Sequence, residues 1–140
     1  DTGRVTILQY VIVDDCGTRL NPATVEGLTQ GGVAQGVAAA LLEEYPYTAD
    51  GQPQATTFVD YLLPSICEVP RTHKAARVTP SPLAPLGAKG CGEGSMHTAP
   101  AAVMCAVNDA LAPLDLLARE VPASPQRLWK LLHEAGFQYS

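Results

Sequence analysis

Both alternating faces of Val5 to Val13 are largely apolar, and the run is rich in β-branched and aromatic residues. That pattern predicts a strand covered on both sides and central in its sheet, because a strand with one wet face alternates instead. Asp14-Asp15-Cys16-Gly17 ends it in a turn. Asn21-Pro22 then opens a helix, with Asn21 as N-cap and Pro22 at the first helical position, where a missing N–H loses no bond. The helix is predicted to run to about Glu44 although it contains Gly27, Gly31, Gly32 and Gly36. Each costs about 0.8–1 kcal/mol relative to alanine in a helix interior. Gly27, Gly31 and Gly32 fall on neighbouring faces of successive turns, leaving a stripe that admits another backbone, a sheet or a flat ligand in near contact. Gln35, among alanines and glycines, needs partners for its amide if it is buried there.

Tyr45 to Tyr47 and Ala55 to Val59, with Asp50-Gly51 between them, read as a hairpin with a tight turn. Pro64 and Pro70 force extended, turn-punctuated chain, since proline disfavours helix at the residue before it. Ala75 to Thr79 is a short predicted strand. A helix capped by Thr98, with Pro100 in its first turn, places Val103, Val107, Ala110 and Leu111 on one face. Pro113 marks its end. Ser124-Pro125 opens a last helix carrying Leu128, Leu131, Leu132 and Ala135, with Gly136 as its stop. Trp129, beside that stripe, reads as packing.

Between these elements, Leu86 to Ser95 follows three stiffening prolines and puts four glycines, Gly87, Gly90, Gly92 and Gly94, into eight positions around Lys89 and Glu93. It is a poor helix or strand, and ordering it costs roughly 0.5–1 kcal/mol per glycine. A backbone that approaches a ligand with its N–H groups free, through positive φ or the absence of Cβ, offsets such a cost. An ordinary surface turn with a solvated Glu93 is the competing reading. Nucleotide motifs do not fit. Lys89 is followed by Gly90 where the phosphate loop requires Ser or Thr, and Ser95 stands where the dinucleotide pattern requires its third glycine.

At 140 residues and 46% hydrophobic, the chain supports one domain with its own core, spanning residues 1–140. Fourteen acidic against nine basic residues, a net charge of −5, and no basic cluster argue against nucleic acid. No run approaches the roughly 18–20 apolar residues of a membrane span, and no charged-then-apolar leader opens the chain, so a soluble, cytoplasmic protein is expected. The four cysteines, Cys16, Cys67, Cys91 and Cys105, form no Cys-x-x-Cys pair and are expected to be reduced thiols rather than metal ligands. His73, His97 and His133 lack ligand spacing. Asp1-Thr2-Gly3 leads directly into the first strand, as in a piece of something longer.

Taken in order, Asp14-Asp15-Cys16-Gly17, Asn21-Pro22, Glu26-Gly27, Gly31-Gly32-Val33-Ala34-Gln35-Gly36, Asp60-Tyr61-x-x-Pro64, Gly87-Ala88-Lys89-Gly90-x-Gly92-Glu93-Gly94 and Pro122 to Trp129 resemble a known family. It is the C-terminal portion of the molybdopterin-binding large subunit of the xanthine dehydrogenase, aldehyde oxidase and carbon monoxide dehydrogenase family. The resemblance covers nearly the whole chain. It implies an α+β fold of mixed helices and strands, a fragment of a larger molybdopterin-binding subunit.

The resemblance also implies that Glu93 is the active-site base of a molybdenum hydroxylase, an oxidoreductase that inserts a water-derived oxygen into an aldehyde, an N-heterocycle or a related substrate. Lys89, Gly90, Cys91 and Gly92 match the segment that lies along the cofactor, molybdenum-molybdopterin, as such or in a dinucleotide form. No metal ligand is implied within the chain. Iron–sulfur clusters and FAD are implied on other domains or subunits, and the implied partners are the rest of the molybdenum subunit, iron–sulfur and flavin subunits, and a small-molecule substrate. Alone, the chain is expected to be inactive. Leu28 stands where the family usually has a cofactor-contacting glutamine, Cys91 where an aliphatic residue is common, and Ala84 where an asparagine is common. The alternative reading is a non-catalytic scaffold or interaction module derived from the same fold.

Overall fold

Asn21 begins the longest element: its backbone is extended, and its side chain accepts the Thr24 N–H at 3.1 Å, satisfying one of the unpaired donors of the first turn. The helix it caps, α1, spans Pro22–Leu41. The computed structural model describes residues 2–137; Asp1 and Gln138–Ser140, the ends of the expected domain, lie outside them. In chain order the elements are β1 (Tyr10–Asp14), α1, β2 (Thr72–Ala76), α2 (Gly94–Leu111), a 3₁₀ turn (Ala112–Leu114) and α3 (Pro125–Glu134). This is the α+β class expected.

The glycines of α1 divide into two groups. At Gly36 a Cβ would overlap the Ala99 side chain and stand 2.9 Å from Pro100 Cδ, and at Gly32 it would stand 2.9 Å from the Met96 nitrogen. These two positions let α1 and α2 cross in near contact. Gly27 and Gly31 have nothing within 4 Å, so the stripe expected from Gly27, Gly31 and Gly32 is displaced towards Gly32 and Gly36. Below the crossing, Val33, Val37, Ala40 and Leu41 pack with Val103, Val107 and Leu111 of α2, Ala123, and Leu128 of α3. Burying these apolar side chains drives the fold at roughly 25 cal/mol per Å². Gln35 lies on the exposed side of α1.

The first strand is shorter than its pattern. Only Tyr10–Asp14 pairs, in parallel with Thr72–Ala76, in register from Tyr10 opposite Thr72 to Asp14 opposite Ala76. Tyr10 and Ile12 pack on the core while Val11 and Val13 are 61% and 63% exposed, so the strand is neither central nor covered on both faces. The helices of this chain provide one covering layer. β2 begins three residues before the predicted Ala75. The predicted hairpin is a single bridge between Tyr47 and Pro53 around a turn at Gly51 (φ +84°), and Ala55 to Val59 forms no strand. There Tyr61 donates its hydroxyl to Glu43 Oε2 at 2.8 Å.

α2 starts at Gly94 with Glu93 in the N-cap position, not at Thr98. The extra turn buries Ser95 and Ala99 against α1, and that packing outweighs the poor helix propensity of Gly94. Thr98 sits within the helix, its hydroxyl donating to the carbonyls of Gly94 and Ser95, and Pro100 is also interior. Ser124 caps α3 as expected, accepting the Arg127 N–H, and Gly136 takes φ +86° just beyond it. Trp129 is 43% exposed and stacks on His133 at 4.9 Å, outside the core.

Candidate functional site

Because β1 and β2 are parallel, Asp14 and Ala76 end at the same edge, and the chain leaving each strand meets there. Successive strand residues point to opposite faces, and the two carboxylates after Val13 serve different segments. Asp14 Oδ1 accepts from Arg19 at 2.9 Å, and its Oδ2 lies 3.3 Å from the Thr29 hydroxyl on α1. Asp15 Oδ1 accepts the N–H of Gly17 at 2.9 Å and of Thr79 at 3.1 Å, while Oδ2 accepts the Thr79 hydroxyl. The Lys89 ammonium lies 3.0 Å from Asp15 Oδ1 and donates to Thr79 Oγ1 at 2.8 Å. The Thr79 hydroxyl, the Gly17 amide and Lys89 hold the Asp15 carboxyl well below the usual carboxylate range, because each favours the charged form.

The glycine-rich segment has two halves of different construction. In the first, Gly87 (φ +71°) faces Gly17 (φ +65°), a conformation other residues adopt at a cost. Thr18 donates to the Gly87 carbonyl at 3.2 Å and Lys89 N–H to the Cys16 carbonyl at 2.8 Å, with Gly17 and Ala88 paired as an antiparallel bridge. The first half is thereby zipped to the turn after β1.

In the second half, Gly90, Gly92 and Gly94 do not take positive φ, and a Cβ on any of them meets nothing within 4 Å. The expectation that these glycines satisfy a turn or a close neighbour therefore holds for Gly87 alone within this chain. Among the described residues the N–H groups of Gly90, Cys91 and Gly92 make no hydrogen bond. The Lys89 N–H and ammonium are both engaged internally. Cys91 is half-buried; burial pushes its thiol up, and the neighbouring Cys16 adds in the same direction.

Glu93 occupies the N-cap of α2 but makes no side-chain cap bond, and among the described residues its exposed carboxylate has no hydrogen-bond or ion-pair partner. Ser95, buried in the first turn, donates its hydroxyl to the Leu28 carbonyl at 3.5 Å. That contact brings Leu28, 38% exposed, beside the start of α2. The structure thus gathers Lys89, Gly90, Cys91, Gly92, Glu93 and Leu28 at one end of the helix pair. His97, on the first turn of α2, is exposed and forms no cluster with His73 or His133.

Chemically, the arrangement offers free backbone donors, an unpaired helix N-terminus and one carboxylate: donors suited to the heteroatoms of a flat, anionic group, and an acceptor for a proton. Among the described residues no three His, Cys, Asp or Glu side chains converge to ligate a metal. Backbone donors of this kind fit the organic part of a flat, heteroatom-rich cofactor such as a pterin. A separate cavity of about 750 Å³ lies between residues 2–11 and the flank of α2, and no residue of the glycine-rich segment lines it. Asp15 and Thr79 escape a reading of the sequence. Thr79 looks like an ordinary residue before a proline, and Asp15 like half of a turn; its place directly after a strand was the available signal.

The site of this small α+β unit is thus bare loop backbone and a lone glutamate at the start of a helix. Residues 1–70 match the family model described as the molybdopterin cofactor-binding domain. The chain belongs to that family, and it is homologous to the molybdopterin-binding large subunit of the xanthine oxidase, carbon monoxide dehydrogenase and aldehyde oxidoreductase enzymes.

The carbon monoxide dehydrogenase large chain of Hydrogenophaga pseudoflava is 39% identical over 137 residues, which is 95% of this chain and 17% of that protein. Quinoline 2-oxidoreductase from Pseudomonas putida 86 superposes with a TM-score of 0.86 at 48% identity, over 89% of this chain and 16% of the other. The Cu,Mo-CO dehydrogenase superposes with a TM-score of 0.94 at 37% identity, over 99% and 18%. The chain spans about a sixth of the length of these relatives. Its fold is that of molybdenum-containing oxidoreductases. No helix among the described residues is long and apolar enough to cross a membrane.

Proposed function

We propose that residues 1–140 act as one unit in the active site of a molybdenum hydroxylase, with Glu93 as its general base and Gly90, Cys91 and Gly92 as a backbone cradle for the pterin cofactor. One observation carries this reading: three N–H groups and then a carboxylate stand in succession with no hydrogen-bond partner among the described residues. When bound, molybdenum-molybdopterin, as such or as a dinucleotide, supplies the redox centre that receives the substrate's electrons. The cradle's donors orient the cofactor's heteroatoms, and the absent Cβ atoms let it approach the backbone. Lys89 contributes by fixing the loop rather than by a free charge. Glu93 accepts the proton released as a water-derived oxygen enters an electron-poor carbon, a role for which its lack of other partners suits it.

In this reading the remaining contacts come from the rest of the molybdenum subunit, electrons leave through iron–sulfur and flavin partners, and the enzyme is cytoplasmic. The names of its relatives range from carbon monoxide to quinoline, so this shared segment is taken to serve the common chemistry while other segments select the substrate. The non-catalytic scaffold reading is favoured by one observation, the apolar Leu28 beside the start of α2.

Molybdenum and pterin analysis separates the two. The protein purified with its native partner chains is expected to hold stoichiometric molybdenum and pterin, and the 140-residue chain alone none, since one cradle cannot retain a large charged group held from several sides. A folded native assembly without either component would establish the scaffold.

A further inference from the structure

We propose that Asp15 is the positioning residue for the Glu93 loop, anchoring it to the end of β1 through Lys89 and Thr79. The proposal rests on the reading of Glu93 as the base and identifies what holds that base in place. Locally only Cys91, half-buried beside Cys16, gives the loop a side-chain contact. The Glu93 side chain has no partner among the described residues, and Gly90, Gly92 and Gly94 offer no side chain to pack. Directed bonds hold the segment at its two ends.

One end is Ser95, buried against α1. The other is Lys89, held by its N–H on the Cys16 carbonyl and by its ammonium on Asp15 and Thr79. Asp15 is the hub of the second anchor. Its carboxylate joins three segments: its own turn through the Gly17 amide, the chain after β2 through the amide and hydroxyl of Thr79, and the loop through Lys89.

An isolated exposed Lys–Asp pair contributes little, because two flexible side chains must be ordered in solvent. This one differs, since two backbone amides and a hydroxyl hold the carboxylate independently of the lysine, and charge-assisted bonds to an oriented acceptor are the stronger kind. The neighbouring Asp14 does not substitute for it, being committed to Arg19 and lying against Thr29.

The test uses the molybdenum-loaded holoenzyme with Asp15→Asn, Asp15→Ala and Lys89→Met, read by hydrogen exchange at residues 88–96, molybdenum content, and kcat and KM. Loss of a charge-assisted bond at an anchor is expected to speed exchange within 88–96, read at the Lys89 amide that bonds the Cys16 carbonyl, by about tenfold or more. The α1 and α2 interior amides around Val37 and Val107 stay protected, and kcat falls more than KM rises. Lys89→Arg, which keeps the cation, is expected to restore protection of the loop.

Unchanged exchange at 88–96 in both Asp15 variants would overturn the proposal, as would a rise shared equally with the helix interiors, which marks a general structural role. If the Asp15 variants do not fold, Lys89→Met decides, since it removes the same link from the exposed side: local loosening supports the anchor and unchanged exchange refutes it. Full turnover in Glu93→Gln would remove the base assignment but leave the exchange result standing, so the two failures are distinguishable.

Discussion

Gly36→Ala adds one methyl group where α1 and α2 touch, and the structure sets its cost. The new Cβ would overlap the fully buried Ala99 side chain and stand 2.9 Å from Pro100 Cδ. Neither neighbour can rotate away, one having no χ angle and the other being a ring, so the helices must separate. Overpacking of this kind costs about 1–3 kcal/mol, and rigid neighbours place it in the upper half of that range. Replacing a helical glycine with alanine returns about 0.8–1 kcal/mol, leaving a net destabilisation of roughly 1–2 kcal/mol. Gly31→Ala is the internal control. Its Cβ meets nothing within 4 Å, so only the propensity gain operates and the variant should be more stable than the parent by about 0.4–1 kcal/mol. Urea denaturation of the 140-residue chain, compared at equal m-values, measures both. A Gly36→Ala chain as stable as Gly31→Ala would refute the helix contact as the reason for glycine at this position.

Gly92→Val should leave the stability of the chain within about 0.5 kcal/mol, because φ is not positive there and a Cβ has open space. In the assembled enzyme the same variant should lower molybdenum and pterin content, and full retention there would count against the cradle. Asp15 yields a pH dependence with a definite sign. A carboxyl held below its ordinary value contributes stability that is complete above the unfolded value, about 3.9, and is lost as pH falls through the folded one. Protection factors for the bonded amides of Gly87 and Lys89 should therefore be flat from about pH 7 to about pH 5 and decline only in stronger acid; a decline centred near pH 6 would contradict the Asp15 anchor.

Much of the architecture was legible where local chemistry decides it. Asn21-Pro22 and Ser124-Pro125 placed two helix starts, since a cap and a proline at the first helical position act within a few residues. Where packing from distant chain decides, the sequence was less informative. Thr98 is a good cap in isolation, but burial of Ser95 and Ala99 against Gly32 and Gly36 draws the start of α2 back to Gly94. The two-faced apolar pattern of Val5 to Val13 records burial that this chain's elements supply on one face only. At the site, the density of glycines and the lone Glu93 singled out the loop, whereas Asp15 acts through Thr79 and Lys89, contacts that only the folded chain reveals.

In the proposed reaction Glu93 takes a proton. Glu93→Gln keeps size and hydrogen-bonding capacity but removes the basic group, so the most direct measurement is kcat/KM of the molybdenum-loaded enzyme carrying it, with metal content and fold verified in the same preparation. General-base catalysis contributes about 10²- to 10⁴-fold, and a fall of at least about 10²-fold at unchanged molybdenum content is predicted. Turnover equal to the parent enzyme would exclude Glu93 as the base.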